Sequence, residues 1–191
     1  MSKSLSALPE SFNIAAACCD RWVEEGHGDR TAIRDGDTVI AYRDLQVRVN
    51  RLGNGLRSLG LGPGDRYLIR LSPRSDFYTA FLAGLKIGAV AIPTPQQLRE
   101  KELRHIVNTA AVRVAVTEEG LAGPIRSIRD EVPTLEHVVC LDTKDPAEKE
   151  MSSLMDASDS RLTVHPTRPD DPAFVLFSSG TTGVPKGIAH A

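Results

Sequence analysis

The sequence predicts an α/β fold: a mostly parallel sheet flanked by helices on both faces, with an early β-hairpin. Three observations predict it. Short apolar runs of strand length alternate with longer stretches of helical period along most of the chain; strand–helix–strand order is the pattern of a parallel sheet covered on both sides. Glycine, proline and aspartate punctuate that alternation, as at Gly60–Asp65 and Pro93–Pro95. Asp35-Gly36-Asp37 joins two short β-rich runs, a hairpin signal because the central positions of the tight turn need positive φ.

Each element follows in order. Residues 1–12 read as a flexible tail. Asn13 to Glu25 reads as a short helix, started by Ser11 or Asn13 and ended by Gly26. Thr31–Arg34 and Thr38–Tyr42 form the hairpin, at a sheet edge or as a separate ribbon. Leu45, Val49, Leu52, Leu56 and Leu59 recur at alternating four- and three-residue steps, which lines one face of a helix over about Arg43–Leu59. Arg43, Arg48, Arg51 and Arg57 fall elsewhere, on a solvated face. Beyond the Gly60/Gly62 stop come strand Tyr67–Leu71, a helix Asp76–Ile87 capped by Ser75, and strand Ala89–Ile92. A charged helix over about Leu98–Ala110 follows, burying Leu103, Ile106 and Val107, and then strand Val112–Val116. Glu118–Val132 holds a helix interrupted at Gly123-Pro124. Strand His137–Leu141, a polar stretch with a short helix near Ser152–Ala157, and strand Ala173–Phe177 complete the order. Residues 13–172 are expected to form a first α/β subdomain, and 173–191 to begin a second.

Composition narrows the function classes. The 191 residues are 41% hydrophobic and 25% charged, ordinary for a soluble globular chain able to bury a core. A net charge of −2 with 5% aromatic residues argues against nucleic acid as the main partner. Cys18, Cys19 and Cys140 make neither a C-x-x-C pair nor a disulfide framework, and the histidines make no H-E-x-x-H, so no metal site is expected. The apolar run Ile14–Cys19 is too short for a signal-peptide core, and no run has the length of a membrane span. A cytoplasmic protein is the expectation.

Chemistry concentrates at the C-terminal end. After the apolar run Phe174–Phe177 come Ser178, Ser179, Gly180, Thr181, Thr182, Gly183, Val184, Pro185, Lys186 and Gly187. Glycines let backbone N–H groups approach an anion, hydroxyls add movable donors, and Lys186 adds a point charge. The stretch therefore reads as a phosphate-binding loop. It is not the P-loop G-x-x-x-x-G-K-[ST]: the position five after Gly180 is Pro185, and Lys186 is followed by Gly187 rather than a Mg²⁺-binding hydroxyl. His190 stands open between nucleotide contact and packing. His105, His137 and Trp22 read as structural, and Asp170-Asp171 as a turn before Pro172.

The order S-S-G-T-T-G-x-P-K-G resembles, without a departure, the phosphate loop of the adenylate-forming superfamily: acyl- and aryl-CoA synthetases, adenylation domains and luciferases. Tyr42-Arg43-Asp44-Leu45, Leu61-Gly62-Pro63-Gly64-Asp65-Arg66 and Phe81 to Val90 are similar to further signatures of that superfamily. Thr167–Asp171 and Val132–His137 resemble the benzoate-CoA ligase branch, and Leu98–Leu103 the 2-aminobenzoate-CoA ligases.

The resemblance implies a two-step reaction. A carboxylic acid attacks the α-phosphate of Mg²⁺-bound ATP, giving acyl-adenylate and pyrophosphate, and the thiol of coenzyme A then displaces AMP. It implies Ser178, Ser179, Gly180, Thr181, Thr182 and Gly183 as ATP phosphate-binding residues, Lys186 as the charge-neutralising catalytic group, and His190 as a nucleotide contact. Family members run several hundred residues further, so the chain is expected to be an N-terminal fragment, inactive alone. A non-catalytic interaction module and an enzyme that loads a carrier protein are the alternatives.

Overall fold

The computed structural model describes residues 9–179 and 185–191. Among the described residues there are two sheets: a ribbon of β1 (Thr31–Asp35) and β2 (Thr38–Ala41), and a seven-stranded sheet. The larger sheet contains β3 (Arg66–Arg70), β4 (Val90–Pro93), β5 (Val114–Glu118), β6 (His137–Leu141), β7 (Lys149–Glu150), β8 (Phe174–Ser179) and β9 (Pro185–His190), in the order β7-β6-β5-β3-β4-β8-β9. Every pairing in it is parallel except β8 with β9. The fold class is the one the alternating pattern predicts.

Side chains alternate across the sheet as a pleated strand requires. Tyr67, Ile69, Val114, Val116, Val139 and Phe174 face one side. They pack there with α2 (Tyr42–Ser58), α3 (Ser75–Lys86) and α6 (Met151–Asp156). Leu68, Ile92, Ala115, Val138, Val175 and Phe177 face the other side, under α4 (Glu100–Thr109) and α5 (Glu119–Ile128). Along β3, Tyr67 to Arg70 are all buried, which is why the strand reads as a continuous apolar run broken by one arginine.

That arginine is an organising residue. The Arg70 guanidinium donates to the carbonyls of Leu121, Pro95, Gln96 and Leu98, so backbone carbonyls take up four of the five N–H donors of a cation only 2% exposed. Its bonds fix the turn that leads into α4.

The N-terminal helix departs from a regular α-helix. Asn13 Oδ1 accepts from the N–H groups of Ala15 and Ala16, as a cap should. Residues Ala16–Asp20 then widen into a π-helical stretch before α1 (Arg21–Glu24). Beside it, Lys86 donates to Asp20 Oδ1 at 2.7 Å and to Asn50 Oδ1 at 2.6 Å, in a pocket closed to water.

Two local expectations are corrected. Ser75 is the first residue of α3, not its cap. The carboxylate of Asp35, at the end of β1, accepts from both the N–H and hydroxyl of Ser75, so the ribbon caps α3 from outside the helix. The helix at Gly123-Pro124 is not interrupted, because α5 runs through Pro124. Burial of Ala122, Ile125 and Ile128 against the sheet carries it past the missing donor.

The polar stretch after β6 is tied down by backbone groups. Asn50 and Asn54 donate to the carbonyls of Ser160, Asp159 and Arg161, and the His165 N–H donates to the Lys86 carbonyl. No helix among the described residues is long and apolar enough to cross a membrane. All three cysteines are free thiols; burial pushes the Cys19 and Cys140 thiols up to about 12.

Candidate functional site

The stretch read as one loop is a strand, a connection and a second strand. Lys186 and Gly187 lie on β9, which pairs antiparallel with β8 in the register Phe174↔His190, Leu176↔Ile188, Phe177↔Gly187, Ser178↔Lys186 and Ser179↔Pro185. Gly180, Thr181, Thr182 and Gly183 lie outside the described residues. The hairpin brings Ser178 and Lys186 directly opposite each other. Opposed residues on an antiparallel pair point to the same face with Cβ atoms about 4.5–5.5 Å apart. Both are exposed, so a hydroxyl donor and an ammonium share one accessible patch.

Their place in the sheet matters. β8 runs parallel to β4, so Ser178 is at the carboxyl edge of the parallel strands. Open α/β sheets bind ligands outside that edge. A phosphate fits this pair: one hydroxyl, one cation, and no carboxylate within the hairpin to repel it.

Gly187 has a packing role that the motif string does not reveal. A Cβ there would meet Phe177 Cζ and Val175 Cγ1 at 3.0 Å, tighter than ordinary contact. The Phe177 ring, held under α4, lies across the glycine and seats β9 on β8.

His190 is at the opposite end of β9. Its ring stacks on Phe174 at 4.8 Å with 12° between planes, and Phe174 in turn packs against Phe81 of α3. Four strand steps separate His190 from Lys186, roughly 13 Å at the usual rise. Between them, Leu176 and Ile188 form a cross-strand apolar pair, 43% and 55% exposed.

One contact was invisible in the sequence. His105 of α4 lies with Nε2 2.9 Å from the carbonyl oxygen of Pro185. No periodicity or spacing signals a pairing across eighty positions of chain.

Other polar clusters are committed elsewhere. Arg126 is bound by Glu119 and Glu148; with Cys140 these carboxylates form the one possible metal-ligating group among the described residues. Arg126 already occupies their oxygens. A crevice of about 340 Å³ at the ends of β3, β5 and β6 is lined by Ser72, Arg74, Asp76, Glu118, Glu119 and Asp142. There the Ser72 hydroxyl donates to Glu118 at 2.6 Å. This crevice does not include Ser178 or Lys186.

The family model described as AMP-binding enzyme matches residues 19–191. The chain is 37% identical over 184 residues to benzoate–CoA ligase of Thauera aromatica, covering 96% of this chain and 34% of that protein. It is 35% identical over 162 residues to the phosphinothricin tripeptide synthetase PhsC of Streptomyces viridochromogenes, covering 85% of this chain and 14% of that protein. The solved structure of the anthranilate CoA ligase AuaEII in complex with anthranoyl-AMP superposes with a TM-score of 0.89 at 27% identity, covering 96% of this chain and 34% of that one. The chain thus spans about a third of the length of the CoA ligases it matches. With the family model matched over residues 19–191, the chain belongs to the AMP-binding enzyme family.

Proposed function

We propose that this chain carries the phosphate-binding part of an ATP-dependent carboxylic acid–CoA ligase acting on an aromatic acid of the benzoate type. In the reaction, a carboxylate oxygen bonds to the α-phosphorus of ATP and the bond to the bridging oxygen breaks. Pyrophosphate leaves and an acyl-adenylate forms. The thiol of coenzyme A then gives up its proton to solvent, its sulfur bonds to the acyl carbon, and AMP leaves with its phosphate oxygen taking the electron pair.

The observation that carries this reading is the β8–β9 hairpin, which sets Ser178 and Lys186 side by side at the carboxyl edge of the sheet. Ser178 would donate to a phosphate oxygen. Lys186 would neutralise charge that builds on the departing pyrophosphate, so it is the catalytic residue proposed here. Ser179, Gly180, Thr181, Thr182 and Gly183 complete the phosphate-binding set. His190, at the far end of β9, is assigned to the remainder of the nucleotide. By likeness to the adenylate-forming enzymes, Mg²⁺ is expected to arrive with ATP. Likeness to a benzoate–CoA ligase and an anthranilate CoA ligase supports the aromatic acid class and coenzyme A as acceptor. Likeness to a tripeptide synthetase supports a second reading in which another thiol receives the acyl group.

The test is pyrophosphate release from ATP with benzoate or 2-aminobenzoate, measured on the intact protein that carries this chain. Wild-type release above a Lys186→Ala control is expected, with the control lower by about 10²–10³-fold, as for loss of one preorganised charge-stabilising donor. The 191 residues alone are expected to form no acyl-adenylate. Equal release by wild type and Lys186→Ala would refute the role of Lys186.

A further inference from the structure

His105 sits on a helix whose other sequence neighbours already fill the core. Leu103, Ile106 and Val107 are buried under the sheet, whereas His105 is half-buried and points its ring at the hairpin. α4 packs against β9. A carbonyl oxygen can only accept, so the 2.9 Å contact with Pro185 places the proton on His105 Nε2. Nδ1 then faces the Thr109 hydroxyl, 3.5 Å away and one turn further along α4.

Pro185 is the residue before Lys186, and as a proline it donates no N–H to the β8–β9 ladder. Among the described residues β9 is the outermost strand of the sheet, so its free side has no neighbouring strand to hold it. His105 supplies a bond there from outside the strand pair. Its own position is fixed from the sheet: Arg70 holds the carbonyls of Pro95, Gln96 and Leu98 at the entry to α4. The Arg99 N–H donates to Glu102 at its first turn.

We propose that His105 is a positioning residue for Lys186: through the Pro185 carbonyl it sets the place of the Lys186 backbone against Ser178, and with it the geometry of the phosphate-binding pair. This rests on the reading of Ser178 and Lys186 as that pair. His105 touches no substrate; it acts through the strand.

The experiment compares wild type, His105→Leu and His105→Gln in the intact protein. Steady-state pyrophosphate release is measured with ATP and acid varied separately, and amide hydrogen exchange is followed across residues 185–190. His105→Leu is expected to raise KM for ATP about five- to tenfold, the scale of one lost neutral hydrogen bond. KM for the acid should stay unchanged, and exchange in β9 should rise while β3 stays protected. His105→Gln, whose amide can still donate to the carbonyl, should recover most of the ATP effect. Unaltered KM for ATP in His105→Leu would overturn the proposal. So would equal loss for both substrates with no recovery by glutamine, which is what general destabilisation produces. Absence of pyrophosphate release in wild type is a separate result: it removes the phosphate reading itself, whatever the variants do.

Discussion

Gly84→Ala is a substitution that local rules favour and this structure forbids. Gly84 lies inside α3, where alanine is better than glycine by about 1 kcal/mol in an exposed helix interior. The added carbon would fall on Tyr67 Cζ, Cε1 and Oη, far inside the contact distance of about 3.5–4.0 Å. Tyr67 cannot retreat: it is completely buried and its hydroxyl shares its one proton between the carbonyls of Ala80 and Phe81, 3.1 and 3.0 Å away. Burial raises its pKa, so it stays a neutral donor. Overpacking of this kind costs about 1–3 kcal/mol, and a displaced hydroxyl forfeits about 1 kcal/mol more. The clash outweighs the propensity gain, and a net loss of about 1–3 kcal/mol is expected. Urea denaturation followed by far-ultraviolet circular dichroism measures it, in the wild-type background and in Tyr67→Leu. Removing the ring should remove the penalty, so Gly84→Ala should be neutral or stabilising in the Tyr67→Leu background. The same cost in both backgrounds would refute the steric reasoning.

The buried pair of Lys86 and Asp20 gives a second test: Lys86→Met strands a carboxylate in a dry pocket and should cost about 3–5 kcal/mol. Lys86→Met with Asp20→Leu should cost less than the single change, and a double variant worse than the single would refute the pairing. A third concerns pH. Hydrogen bonds from Arg126, joined by the Lys144 N–H, hold the Glu119 carboxyl at about 2 against its ordinary 4.5. Its folded pKa is depressed, so its contribution is complete above pH 4.5 and is lost as pH falls towards 2. Glu119→Gln should flatten the acid limb of stability across that window in urea titrations at stepped pH; an unchanged limb would count against the network. A fourth addresses the hairpin: Gly187→Val should press on Phe177 and Val175, speeding hydrogen exchange across β8–β9. Phe177→Leu should recover part of that protection.

What was legible in the sequence had local causes, and what was not had distant ones. The Asp35-Gly36-Asp37 hairpin, the periodic face of α2 and strand β6 are encoded by residues within a few positions of one another, and each forms where the pattern places it. The cap on α3 comes from Asp35, forty positions away, so Ser75 donates to the capping group instead of being it. Pro124 reads as a breaker until the sheet beneath α5 is known. The Ser178–Gly187 string stands out because its order is unusual, yet by sequence it reads as pure loop. Proline and glycine at 185 and 187 argue against a strand by propensity. Both are tolerated in β9 for tertiary reasons: Phe177 needs the bare backbone of Gly187, and Pro185 offers its carbonyl to His105. The two residues that weaken the strand locally are thus the two through which α4 and β8 hold it. That division explains why a short, poorly propensive strand can carry Lys186 to a defined place: its position is set by the neighbouring helix and ring rather than by its own sequence.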